Sequence, residues 1–236
     1  MNILAFDTSH AVISVALSCG GIVHAVHETR QEKQGTHLLP AISYLLQQAN
    51  ITLADLDCLA LGTGPGSFTG LRIGCSAAQA ISLAHNLAVI PISSLQLLAQ
   101  TAFKQYGGTR FLVAVDAKQN QCYCGQYQLD PISECMQRVG EETMSVDNIA
   151  DNRAVIVPAS DSHTLFAVGS AWPLLKQRLL NYFGVDEHNI VYLPECSPMA
   201  SAIFDLVRIA DEHDQQVDVT ALSPHYLNDM PFSVPF

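Results

Sequence analysis

The run Gly62-Thr63-Gly64-Pro65-Gly66-Ser67-Phe68-Thr69-Gly70 places glycines, a proline and hydroxyl side chains between an apolar strand and a helix. Glycine lets a backbone pass close to a ligand or another chain, and a helix N-terminus offers N–H groups to an anion. Gly64, Gly66 and Ser67 are therefore a candidate phosphate-proximal loop, with a structural tight turn as the competing use. No G-K-[ST] follows, no dinucleotide fingerprint is present, and the serine does not sit in a G-x-S-x-G elbow. Asp7-Thr8-Ser9, at the end of the first apolar strand, adds a carboxylate and two hydroxyls. These could orient a metal-bound water around a phosphate, or cap a turn. Asp116 ends a similar strand half a chain later, but Ala117-Lys118-Gln119 supplies no glycine for a second phosphate loop.

Other chemistries find less support. The nine histidines are scattered without an H-E-x-x-H, and the odd spacing of His24 and His27 on a predicted strand points them to opposite faces. The seven cysteines contain no C-x-x-C and read as reduced, packed thiols; the spacing of Cys122 and Cys124 puts both on one strand face. No Ser-His-Asp set can be inferred from order alone. Neither a metal hydrolase nor a peptidase is favoured.

Elements that could position these residues follow from periodicity. Ile3 to Phe6, AVISVAL and GIVHAVHE read as three strands, the last two joined at Gly20-Gly21. A helix capped by Thr36 carries Leu38, Leu39, Ile42, Leu45, Leu46 and Ala49 on one face, with Pro40 in its first turn. Strand CLALG, the glycine loop and a helix to about Asn86 come next. AVIPI then leads into Ser93-Ser94-Leu95-Gln96, an S-x-x-Q capping box that opens a helix to about Gln105.

After Gly107-Gly108, FLVAVDAKQNQCYCGQY repeats the opening plan of strand, Asp, turn and strand, which suggests two related α/β domains with mixed sheets. Strands near Arg153–Val157 and Leu165–Val168, a helix near Trp172–Tyr182 and a last helix from Ser197-Pro198 complete the expectation. The expected division is 1–106, completed by the helix at about 198–212, then 107–197, with 213–236 as a tail.

The 236 residues are 49% hydrophobic but only 14% charged, against roughly 25% in an average soluble domain. Eleven Lys and Arg against 22 Asp and Glu give a net charge of −11, which repels a phosphate backbone and argues against unaided nucleic-acid binding. No window approaches the ~18 consecutive apolar residues of a membrane span, and MNILAFDTSH lacks a basic leader, so a cytoplasmic protein without membrane contact is expected. With so few charges, the small and apolar residues of the two helices beginning near Thr36 and Thr69 suggest a protein interface. The candidate interface residues are Leu38, Leu39, Ile42, Leu45 and Leu46 on the first, and Gly70, Leu71, Ile73, Gly74, Ala77, Ala78 and Ile81 on the second.

With MNILAFDTS, LALGTGPGSFTGLRIG, PISSLQLLAQ and VAVDA, and later VGSAW and PHYLND, the chain resembles the bacterial TsaB family, also called YeaZ. The resemblance covers most of residues 1–127. It implies the ASKHA fold shared by actin, sugar kinases and heat-shock chaperone ATPases, which would account for the pairing of Asp7 with Asp116.

Members of the family look like degenerate paralogues of TsaD, which transfers a threonylcarbamoyl group to the adenosine beside the anticodon of certain tRNAs. TsaD binds a metal through a histidine pair after its own GPG helix. The corresponding stretch Pro91-Ile92-Ser93-Ser94-Leu95-Gln96-Leu97-Leu98 has no histidine. The resemblance thus implies a non-catalytic subunit that pairs with TsaD, with TsaE joining a ternary complex and a homodimer forming when TsaD is absent. It also implies that tRNA is reached only through these partners, and that no cofactor is held beyond ATP or ADP at the joint with TsaD. The chain departs from the family pattern at Gln34-Gly35 and Asn120-Gln121. A stand-alone ATPase or kinase of the same fold is the alternative.

Overall fold

The computed structural model describes residues 1–29, 37–144, 164–212, 219 and 222–227. Thr36, Gln34-Gly35, the strand expected near 153–157 and most of the tail from residue 213 lie outside the described residues.

The first half folds as β1 (Ile3–Asp7), β2 (Val12–Cys19), β3 (Ile22–Thr29), α1 (Leu38–Ala49), β4 (Cys58–Gly64), α2 (Phe68–His85), β5 (Ala88–Ser93) and α3 (Ser94–Tyr106). Its sheet has the order β3-β2-β1-β4-β5, antiparallel through β1 and parallel beyond it. The second half contributes β6 (Arg110–Lys118), β7 (Gln121–Asp130), β8 (Cys135–Thr143), β9 (Leu165–Val168), α4 (Trp172–Phe183), β10 (Ile190–Leu193) and α5 (Ile203–Glu212). Its sheet order is β8-β7-β6-β9-β10, with the same change from antiparallel to parallel at the central strand. Asp7 closes β1 and Asp116 lies near the end of β6, so the two aspartates hold matching places in a duplicated mixed-sheet α/β plan.

Strand alternation divides each sheet into two apolar faces. Leu4, Phe6, Leu59 and Leu61 pack under α1 and α2 through Leu38, Ile42, Leu45, Cys75, Ala78 and Ile81. On the opposite face Ala5, Ala60 and Ile90 meet Leu97 of α3 and Ile203, Leu206 and Val207 of α5. The other side of α3, with Leu95, Leu98, Ala99 and Ala102, packs on Phe111, Val113 and Val115 of the second sheet. Helix α3 is therefore shared by both halves and fixes one sheet against the other. Cys122 and Cys124 share one buried face under α4, and all seven cysteines are free thiols.

Two local expectations change. Ser93 does cap α3, its hydroxyl accepting from Gln96 N at 3.3 Å. The Gln96 side chain, however, donates to Met136 O of β8 at 2.8 Å instead of returning to the cap, and buried Gln100 accepts from Met136 N at 2.8 Å. The half-box thus gives way to a clamp between α3 and β8, a strand absent from the sequence-based expectations. The last helix begins later than Ser197: Ala200–Ala202 form a 3-10 turn before α5, and Ala200 N donates to Ser14 Oγ at 2.8 Å.

Candidate functional site

Asp7 is buried at the C-terminal end of β1. Its Oδ1 accepts from Ser9 N at 3.0 Å and Ser9 Oγ at 2.7 Å, and its Oδ2 accepts from Ser94 Oγ at 3.0 Å. Ser94 Oγ in turn accepts from Gly64 N at 3.1 Å. A Cβ on Gly62 would lie 1.8 Å from Asp7 Oδ2, so β4 passes the carboxylate only because residue 62 has no side chain. Burial pushes the His10 imidazole below its ordinary range, against the opposing pull of Asp7's charge. Its Nδ1 lies 2.8 Å from Ser9 Oγ.

The glycine loop is held by the same chain. Ser67 N donates to Ser9 O at 2.8 Å, Gly70 N donates to Ser67 Oγ at 3.3 Å, and Thr8 Oγ1 donates to Gly70 O at 2.7 Å. A Cβ on Gly66 would stand 2.6 Å from Ser9 O, and one on Gly64 would stand 2.7 Å from His225 O. The N–H groups of Gly64, Ser67 and Gly70 are thus engaged internally, and the space released by Gly62, Gly64 and Gly66 is filled by protein. Asp7, Thr8, Ser9, Gly64, Gly66 and Ser67 are thus brought together at one corner, where these contacts are those of a tight turn.

Asp116 is also locally satisfied. Its carboxylate accepts from Lys118 N at 2.9 Å and pairs with Lys118 Nζ at 2.8 Å. Burial works to raise its pKa, but the hydrogen bonds and charge of Lys118 outweigh it and hold the group below the usual carboxylate range. Among the described residues no cluster of three or more His, Cys, Asp or Glu side chains could hold a metal ion. No helix among them is long and apolar enough to cross a membrane.

The structure redistributes the candidate interface residues. Leu38, Ile42, Leu45 and Leu46 of α1, and Gly70, Leu71, Gly74, Ala78 and Ile81 of α2, are buried in the chain's own core. Gly74 is pressed against Thr8, whose Oγ1 would be 2.5 Å from a Cβ there. Ile73 and Ala77 are half-buried. Of the twelve candidates named above, Leu39 alone is fully exposed, at 59%. It is joined on the outside by Tyr44 at 53%, Phe68 at 50% and Leu83 at 68%, none of which periodicity selected. Helix α1 carries no charged residue, and α2 carries Arg72 and His85 only. The outward sides of two helices on one sheet face therefore combine large exposed hydrophobics with almost no charge.

A second feature was not visible in the sequence. The segment 222–227 runs along α2: Leu222 is buried in the first core, Gln79 Nε2 donates to Leu222 O at 2.9 Å, and His225 N donates to Thr63 O at 2.7 Å. With Thr63, Pro91, Arg138 and Glu142 this segment borders an open cleft of about 560 Å³. Within it Glu142 Oε1 accepts from Ser93 Oγ and from the buried Tyr127 hydroxyl. Burial, then the neighbouring Glu142 carboxylate, pushes Tyr127 well above its ordinary value. Only the tertiary approach of β8 to β5 brings Glu142 to Ser93, so no local motif announces the cluster.

Comparison with known proteins agrees with this architecture. The family model described as TsaD, tRNA N6-adenosine threonylcarbamoyltransferase, matches residues 8–179. The chain is 41% identical over 130 residues to the tRNA threonylcarbamoyladenosine biosynthesis protein TsaB of Escherichia coli, a match spanning 55% of this chain and 56% of that protein. It is 32% identical over 190 residues to the TsaB protein of Buchnera aphidicola subsp. Schizaphis graminum, covering 80% of this chain and 87% of that one. The solved structure of YeaZ from Pseudomonas aeruginosa superposes with a TM-score of 0.82 at 28% identity, covering 96% of this chain and 99% of that chain. With the duplicated ASKHA plan, the glycine loop and these similarities over most of its length, the chain belongs to the TsaB (YeaZ) family.

Proposed function

We propose that this chain is a non-catalytic subunit of tRNA threonylcarbamoyladenosine biosynthesis, which binds the threonylcarbamoyl-transferring protein TsaD through the outward sides of α1 and α2. The observation that carries this is the exposure of Leu39, Tyr44, Phe68 and Leu83 on a surface nearly free of charge. Large exposed hydrophobics on helices with so little charge mark a surface suited to burial against another polypeptide. The names of the relatives supply the pathway. In the absence of TsaD a second copy covers the same surface, and TsaE completes the assembly.

The engagement of both Asp7 oxygens by Ser9 and Ser94 supports a scaffold use of the inherited cleft over turnover, with ATP or ADP confined to the joint between subunits. A net charge of −11 fits a subunit that leaves tRNA contact to its partners. The test is reconstitution of tRNA modification from purified components with and without this chain, alongside a binding measurement with TsaD. Dependence of modification on the chain and a specific complex are expected. Micromolar binding of magnesium-ATP by the isolated chain, with no complex, would instead favour a stand-alone ATPase.

A further inference from the structure

The cleft beside the segment 222–227 contains a carboxylate that the fold satisfies only in part. Glu142, at 9% exposure, accepts from Ser93 Oγ and from the Tyr127 hydroxyl at the same oxygen, Oε1. Its Oε2 takes no hydrogen bond among the described residues, and Glu142 lines the cleft of about 560 Å³. Burying a charge is costly unless it is paired, and holding two hydroxyls needs only a neutral acceptor such as an amide. The charge of Glu142 therefore calls for a cation that the described residues do not supply. Arg138 lines the same cleft, is exposed, and pairs with no carboxylate among the described residues. Tyr127 and Arg138 are cross-strand partners on β7 and β8, so both side chains leave the same face of the sheet. Burial and Glu142 raise the Tyr127 pKa and the Arg138 charge opposes them, so carboxylate and guanidinium act on one hydroxyl.

Opposite charges set apart on one face select the ligand. A phosphate or nucleotide would meet the Glu142 carboxylate, a simple cation leaves Arg138 unused, and an α-amino acid carries both its charges on one carbon. Glu142 and Arg138 lie four positions apart on β8, at most about 13 Å of extended chain, which asks for a ligand whose charges are separated by several bonds. The cleft is also within the roughly 300–1,000 Å³ of small-molecule sites. We propose that this cleft binds a short peptide-like zwitterion, whose ammonium donates to Glu142 Oε2 and whose carboxylate accepts from the Arg138 guanidinium, a dipeptide being the smallest member of the class. Ser93 and Tyr127 act as positioning residues: by occupying Oε1 they leave Oε2 to the ligand. None of these four residues belongs to α1 or α2, so the site is independent of the partner reading.

The test is titration calorimetry of the full chain with L-alanyl-L-alanine, its N-acetyl derivative, its C-terminal amide and L-alanine. The wild-type chain should bind the dipeptide with a dissociation constant of about 1 mM or tighter. Acetylation removes the cation and amidation the anion, and each should weaken binding about tenfold or more, as should shortening to L-alanine. Glu142→Gln keeps an acceptor for Ser93 and Tyr127 and should weaken the dipeptide about tenfold while leaving the N-acetyl derivative within about twofold. Arg138→Met should do the same for the dipeptide and spare the amide. Thermal unfolding verifies each variant, and the two analogues test both charges on the wild-type chain alone. Absence of saturable dipeptide binding up to about 10 mM overturns the site. Analogues that bind within about threefold of the dipeptide overturn the pairing of charges, and L-alanine binding as tightly as the dipeptide overturns the span.

Discussion

Ser94 Oγ donates to Asp7 Oδ2 across 3.0 Å, joining the end of the first strand to the first turn of the shared helix α3. Because the same hydroxyl accepts from Gly64 N, one serine ties the carboxylate, the glycine loop and the helix that spans both sheets. The Asp7 carboxylate thereby ties strand, loop and helix together.

That tie predicts an order of sensitivities. Gly62→Ala must displace the Asp7 carboxylate, because its methyl would stand 1.8 Å from Oδ2. Overpacking together with stranded buried donors should cost about 2–5 kcal/mol. Asp7→Asn keeps the shape and one acceptor oxygen, and should cost about 1 kcal/mol. Urea unfolding of the two variants checks the order.

Acid sensitivity follows from His10. Burial lowers its pKa in the folded state, whereas the unfolded chain titrates near pH 6.5. The unfolded state therefore binds more protons below that pH. The contribution is fully favourable above about pH 6.5 and is lost as pH falls through that value toward the depressed folded pKa. Unfolding free energy measured from pH 7.5 down to 5.5 should decline, and the decline should be shallower in His10→Gln.

The opposite limb belongs to Tyr127. Its pKa is raised in the folded state by burial and by Glu142, so its share of stability is complete below about pH 10 and is lost as pH rises beyond that. Tyr127→Phe removes the proton and its hydrogen bond to Glu142. It should cost about 1 kcal/mol near neutrality and flatten the alkaline loss. Chemical denaturation at pH 7 and pH 10.5 distinguishes the two effects.

Buried and exposed residues of α1 should separate cleanly. Leu45 is 2% exposed within the first core, so Leu45→Ala should destabilise by about 2–5 kcal/mol. Leu39 points outward, and Leu39→Asp should change stability by no more than about 0.5 kcal/mol. Denaturant midpoints of the pair measure the contrast.

The same contrast explains what the sequence made legible. Helical periodicity located α1 and α2 and selected their apolar face, but a face chosen for being apolar is the one that the sheet buries. Ile42, at 3% exposure, belongs to the core by the same physics that nominated it for an interface. The outward surface was marked by a different signal, the scarcity of charge along α1 and α2, which carry only Arg72 and His85. Asp7 and Asp116 were readable as a repeat because strand, aspartate and turn are local patterns. Glu142, Gln100 and Tyr226 were not, since their partners lie 49, 36 and 154 residues away in sequence and only the finished fold brings them together.

The most direct measurement is an equilibrium binding isotherm between TsaD and this chain, with Tyr44→Asp and Leu83→Asp as variants whose folding is verified by thermal unfolding. A saturable wild-type complex, weakened about tenfold or more by each folded variant, is the result predicted here. A wild-type complex that both variants retain at full affinity, or no complex at all, would contradict the assignment of the α1 and α2 surface to that partner.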